Sequence, residues 1–132
     1  GGMSPVTSDE LCPCGSTLTF AECCGPLLAG DAAPSPERLM RSRYTAFVVR
    51  DETYLFETWH PGTRPESVDT DVSTHWLGLT ILDVEKGLPG DKRGYVEFDA
   101  RFRDGGVEDT LHERSRFVWQ GERWWYLDGV IS

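Results

Sequence analysis

Arg93-Gly-Tyr-Val-Glu-Phe-Asp-Ala-Arg-Phe-Arg103 decides the fold. Val96, Phe98, Ala100 and Phe102 fall on one side of an extended chain, with Tyr95, Glu97, Asp99, Arg101 and Arg103 on the other. A period of two with one wholly apolar side marks an antiparallel strand whose second face meets water. Working outward, a period of two also predicts strands over Trp76–Lys86, Val107–Gln120 and Arg123–Val130. Gly87-Leu-Pro-Gly90, Gly105-Gly106 and Gly121 supply the turns, so the four strands read as a meander.

Upstream the period changes. Ser35-Pro36-Glu37 is a helix start: a capping hydroxyl, a proline suited to the first helical position, and a carboxylate near the positive end of the dipole. Leu39, Met40, Tyr44, Phe47 and Val48 then share one side of the helix, with Arg43 among them and Arg41 at the edge. A second short helix follows from Asp51, carrying Tyr54, Leu55 and Trp59, and His60-Pro61-Gly62 ends it. Pro65 to Val72 is expected to form a further helical turn. Helices first and a meander after predict an α+β domain, an antiparallel sheet packed on N-terminal helices. Gly30-Asp-Ala-Ala-Pro34 reads as a linker. It divides residues 1–30, an expression-tag remnant (Gly1-Gly2) plus a cysteine segment, from the domain at 31–132.

The chain carries 22 acidic and 13 basic residues, a net charge of −9. Such a balance repels phosphate and argues against nucleic acid as a partner. There is no apolar run of about 18 residues, so no membrane span is expected. No basic-then-apolar leader is visible either, and the expected location is the cytoplasm. In that reducing compartment clustered thiols point to metal or redox chemistry before disulfides.

The thiols are Cys12-Pro-Cys14-Gly-Ser16 and, after eight intervening residues, Cys23-Cys24-Gly25. Two close pairs on a short loop supply the four tetrahedral ligands of a structural zinc site, and iron accepts the same set. Four protein ligands leave no open position for catalysis. A disulfide between the adjacent Cys23 and Cys24 would be strained. These residues resemble the SEC-C motif, the zinc module at the end of the translocation ATPase SecA. The resemblance implies Cys12, Cys14, Cys23 and Cys24 as ligands and a role in docking onto other proteins. SEC-C loops usually carry lysines, but Thr17–Glu22 has none, which counts against a cationic docking surface. Leu18 and Phe20 are instead expected to pack the knuckle onto the domain.

Leu39-Met-Arg-Ser-Arg-Tyr44, Thr58-Trp-His-Pro61, Trp76-Leu-Gly-Leu79, Glu113-Arg-Ser-Arg-Phe117 and Trp125-Tyr-Leu-Asp-Gly129 resemble the YchJ-like family of small bacterial proteins. That resemblance implies a nuclear-transport-factor-2-like fold, a cystatin-like cone of curved sheet wrapped on helices, which often encloses a pocket. Glu113 and Ser115 lie on the apolar side of the third strand, and Arg43 on that of the first helix. A charge buried alone is costly, so Glu113 and Arg43 are expected to meet inside the cone beside Tyr44 and Ser115. An ion pair anchoring helix to sheet is the favoured reading, and a ligand or catalytic site the other. His60 joins the candidate pocket as a general base, although a histidine there commonly caps carbonyls. Arg41, Arg114 and Arg116 form a candidate anion-binding edge. In Trp124-Trp125-Tyr126 one ring is expected inside and its neighbours outside. No catalytic triad order, phosphate loop or nucleotide fingerprint is present. The expected role is a non-enzymatic adaptor or ligand-binding protein, with a protein partner on the knuckle or a small molecule in the cone. The alternative is an enzyme of isomerase or dehydratase type.

Overall fold

The computed structural model describes residues 6–132, and the Gly1-Gly2 remnant lies outside them. A 3-10 turn at Phe20–Glu22 and helix α1 (Cys24–Leu28) belong to the cysteine segment. Helices α2 (Pro36–Val49) and α3 (Glu52–Glu57) follow, then β1 (Thr74–Lys86), β2 (Arg93–Asp104), β3 (Val107–Gln120) and β4 (Arg123–Ile131). The strands form one antiparallel sheet in the order β1-β2-β3-β4. The expected strands are present, with ends shifted by at most two residues. No helix among the described residues is long and apolar enough to cross a membrane.

Register carries the apolar stripe of β2 across the sheet. Ala100 sits between Leu79 and Leu111, and Phe98 between Ile81 and Glu113. Two irregularities in β1 and one between β3 and β4 at Arg116/Phe117 bend the sheet around α2. Ser35 caps α2 by accepting from the Arg38 amide at 3.2 Å. Pro36 does more than start the helix: a Cβ on Gly87 (φ +82°) would stand 2.7 Å from its ring. Only glycine lets the β1–β2 hairpin close on that proline.

Two local expectations are corrected. Residues 65–72 form an irregular strap, not a helical turn. It lacks an apolar helical face, and its backbone is held from outside. Glu52 accepts from the Thr70 amide and hydroxyl, and Arg50 donates to the carbonyls of Asp71 and Val72 at 2.7 and 2.9 Å. In β4, Trp124 and Tyr126 both turn inward and Trp125 lies outside, because alternate residues share a face.

Helix α2 is buried nearly all round: Leu39, Met40, Ser42, Arg43, Tyr44, Thr45 and Ala46 are all buried. The sheet covers the side expected from the sequence, and the cysteine segment covers much of the rest. All four cysteines join Leu39, Met40, Tyr44, Val96, Phe98, Phe117 and Trp124 in one apolar cluster. Phe20 packs against it, but Leu18 stands 44% exposed and does not.

Candidate functional site

The knuckle is a small hairpin followed by a turn of helix. Leu11 bridges Thr19, and the Cys12 amide donates to the Leu18 carbonyl at 2.8 Å. Gly15 takes φ +79° to close the first cysteine pair and lies against the Leu79 carbonyl of β1. The four Sγ atoms lie within 4.8 Å of one another, and none is in a disulfide. Cys14 and Cys23 are 3.6 Å apart, Cys23 and Cys24 3.9 Å. A tetrahedral ion with metal–sulfur bonds of about 2.3 Å sets its sulfurs about 3.8 Å apart. The described residues therefore fit a four-thiolate metal site.

Hydroxyls surround the sulfurs. Ser16 Oγ donates to Cys23 Sγ at 3.1 Å. Thr45 Oγ1, fully buried on α2, lies 3.4 Å from Cys24 Sγ and 3.6 Å from Cys12 Sγ. Hydrogen bonds from Cys12 and Cys24 hold the Cys14 thiol far below its ordinary range, while Cys24 is pushed up by its bonds to Cys12 and Cys14 and by burial. Thiolate is the form of cysteine that binds metal. Arg41 donates to the Cys14 carbonyl at 2.8 Å and Arg38 to the Cys23 carbonyl at 3.3 Å, clamping both pairs to α2.

Those bonds correct the candidate anion-binding edge. Arg41 belongs to the knuckle and also pairs with Glu37 at 3.0 Å. Arg114 sits on the outer face of the sheet among Asp83, Glu85 and Glu97, and Arg116 is held by both oxygens of Asp128 at 2.6 Å. The three do not converge, and carboxylates already occupy each.

On the other side of α2 a cavity of about 500 Å³ opens between that helix, Trp59 and all four strands. Phe47, Trp59, Trp76, Phe98, Leu111 and Tyr126 supply its large apolar walls. Arg43 and Glu113 both line it, with Tyr44, but they form no ion pair. Arg43, 3% exposed, donates from Nη1 to the Leu55 carbonyl at 2.8 Å and to Thr58 Oγ1 at 2.7 Å. Its guanidinium lies 4.3 Å from the centre of the Tyr126 ring and 5.4 Å from that of Trp59. Burial pushes its pKa down to about 10. Glu113 Oε2 accepts from Ser115 Oγ at 2.6 Å and Tyr126 OH at 3.1 Å. Burial, then the Glu113 charge, raises the Tyr126 hydroxyl above its usual range, so it stays a donor. Tyr126 thus stands between the two charges, its face to Arg43 and its hydroxyl to Glu113. Tyr44 lies edge-on to Trp76 with ring centres 6.1 Å apart, and burial pushes its hydroxyl up to about 12.

His60 does not line the cavity. Its Nε2 is 2.6 Å from Gln120 Oε1, its Nδ1 accepts from the Gly62 amide, and its ring meets Trp125. Backbone bonds explain the placement: the His60 amide donates to the Tyr126 carbonyl and the Tyr126 amide to the Thr58 carbonyl, laying residues 58–60 along the β4 edge. Sequence reasoning missed Thr45, Tyr126, Trp59 and Gly129. A Cβ on Gly129 would overlap the Glu113 carboxylate, so that glycine makes its room. Thr45 had a readable signal, a small uncharged residue where a solvent-facing helix side would carry charge.

The family profile described as YchJ, middle NTF2-like domain, matches residues 35–129. The chain belongs to this family. The SEC-C motif matches residues 10–26, which hold all four cysteines. The YchJ-like segment holds Arg43, Glu113, Tyr126 and Gly129. A UPF0225 protein from Enterobacter sp. (strain 638) is 47% identical over 127 residues, covering 92% of this chain and 83% of that protein. The solution structure of a SEC-C motif containing protein from Rhodopseudomonas palustris superposes with a TM-score of 0.80 at 43% identity, covering 92% of this chain and 98% of that one. A crystal structure of a sec-c motif containing protein from Psychrobacter arcticus gives 0.74 at 26% identity, covering 95% and 84%. In this YchJ-like chain the domain is a curved four-stranded sheet on helices, and the SEC-C knuckle packs against α2.

Proposed function

We propose that this protein is a zinc-stabilised binding protein for a small, largely apolar molecule held in the cone. The observation that carries the reading is the cavity: aromatic walls with a buried cation and a carboxylate that are not paired to each other. Mostly apolar concavities with a few converging polar groups are how proteins hold small ligands. Binding is favoured over catalysis because the histidine is elsewhere and one Glu113 oxygen is tied to two hydroxyls. Zinc suits the closed four-thiolate knuckle, whose part is to fix α2. Iron is the alternative there; metal analysis and the visible absorption of iron–thiolate bonds separate the two.

The test is an NMR screen of small aromatic fragments against the metal-loaded chain, read at cavity amides. Leu111→Trp fills the space. Fragments should shift residues around Trp76 and Tyr126 in the parent and lose at least most of that effect in the filled variant, with metal content unchanged. Equal binding to both sinks the reading. A second reading, a protein partner on the knuckle, rests on Leu11 and Leu18, 68% and 44% exposed on the two arms of its hairpin. Loss of a specific partner in Leu11→Ser/Leu18→Ser, with the metal retained, would support it.

A further inference from the structure

We infer that the ligand carries a neutral head that both accepts and donates hydrogen bonds, of the carboxamide kind, on a flat apolar body. The inference rests on the cone being a binding site and names what that site takes. It follows from which polar atoms around the cavity remain unused.

Among the described residues, both protein bonds to Glu113 end on Oε2, and Oε1 accepts none. Both protein bonds from Arg43 leave Nη1, and Nε and Nη2 donate none. Both residues line the cavity, so Glu113 Oε1 as an acceptor and the remaining Arg43 N–H groups as donors are the charged atoms left without a protein partner there, beside the Tyr44 hydroxyl. Asp128, the other carboxylate at its wall, is already bound by Arg116 through both oxygens. The open charges sum to zero, one cation and one anion.

That balance selects the head group. A carboxylate would be drawn to Arg43 and repelled by Glu113, and an ammonium the reverse. A like charge brought beside either group at an apolar wall is disfavoured. A zwitterion matches both signs but must shed the water of two full charges at an apolar wall. A carboxamide presents C=O to Arg43 and N–H to Glu113 Oε1 without carrying charge inside. Phe47, Trp76, Phe98 and Leu111 provide the slot for its apolar body.

The experiment titrates the metal-loaded full chain at neutral pH with 2-phenylacetamide, phenylacetate, 2-phenylethylammonium and zwitterionic phenylalanine, one body with four heads. Chemical shifts at cavity amides give the affinities. Leaving one buried charge unmatched corresponds to about tenfold or more in affinity, so the amide should bind at least about tenfold tighter than each of the other three. In Glu113→Gln, whose fold is checked by its amide spectrum, phenylacetate should gain on the amide and close most of that gap. Any ionic head binding as tightly as the amide, or an unchanged order in Glu113→Gln, overturns the inference and leaves the binding reading standing. If no head shifts any cavity amide, both fall.

Discussion

Thr45→Val tests the knuckle at its least visible part. The side chain is fully buried, and its hydroxyl touches Cys24 Sγ at 3.4 Å and Cys12 Sγ at 3.6 Å. Valine keeps the shape and removes only the donor. One hydroxyl proton makes one bond at a time, and a hydrogen bond to a charged acceptor contributes about 1.5–3 kcal/mol. At about 1.4 kcal/mol per factor of ten, that is a roughly 10- to 100-fold loss of metal affinity. The range agrees with the general cost of removing a group that supports a metal ligand, about 10–100-fold. Competition against a chelator of known affinity, at fixed pH under reducing conditions, measures it. Thr45→Ser separates bonding from packing: it keeps the hydroxyl and loses a methyl, so affinity should hold while stability falls by about 1 kcal/mol. A Val variant that binds metal within twofold of the parent refutes the reasoning, as does a Ser variant that loses as much as Val.

Three further outcomes follow from the same geometry. Gly129→Ala should drive the Glu113 carboxylate off Ser115 and Tyr126 and lower stability by about 1–3 kcal/mol, read as the urea midpoint; an unchanged midpoint would mean that the carboxylate is not held there. Phe117→Ala, at a residue 1% exposed in the cluster shared by knuckle and sheet, should cost about 3–5 kcal/mol in the same assay. His112 is raised above its ordinary value by its bond to Asp99 and then by Glu97. A raised folded pKa contributes stability that is complete below the unfolded value, about 6.5, and is lost as pH rises through the folded one. The urea midpoint should therefore decline as pH climbs past about 6.5, and His112→Gln should flatten that decline.

The sheet was legible because its signal is local. Alternation in Tyr95–Arg103 and glycines at the turns need no knowledge of the rest of the chain. The cysteine pairs were legible for the same reason, since spacing alone brings four thiols together. The cavity was only half legible. Arg43 and Glu113 stood out as charges on apolar faces, and both line it, but the expected pairing failed because the Tyr126 ring comes between them. That ring is placed by a backbone ladder joining Thr58 and His60 to β4, a contact across 66 residues or more that no local pattern encodes. The same ladder carries His60 away from the cavity. Arg114 and Arg116 were misread because their carboxylate partners lie on other strands, as far away as β1, and register is set by the whole sheet. The strap over residues 65–72 was misread because side chains from Arg50 and Glu52 hold it, not its own periodicity.

Helix α2 turns Arg38, Arg41 and Thr45 to the knuckle and Met40, Arg43, Tyr44 and Phe47 to the cavity. An α-helix advances by about 100° per residue. A single residue added or removed between Met40 and Thr45 would rotate everything beyond it by that angle against everything before it, splitting both sets at once. Substitutions can adjust either surface independently, but the spacing along this helix belongs to both at once, so its length is closed to insertion and deletion.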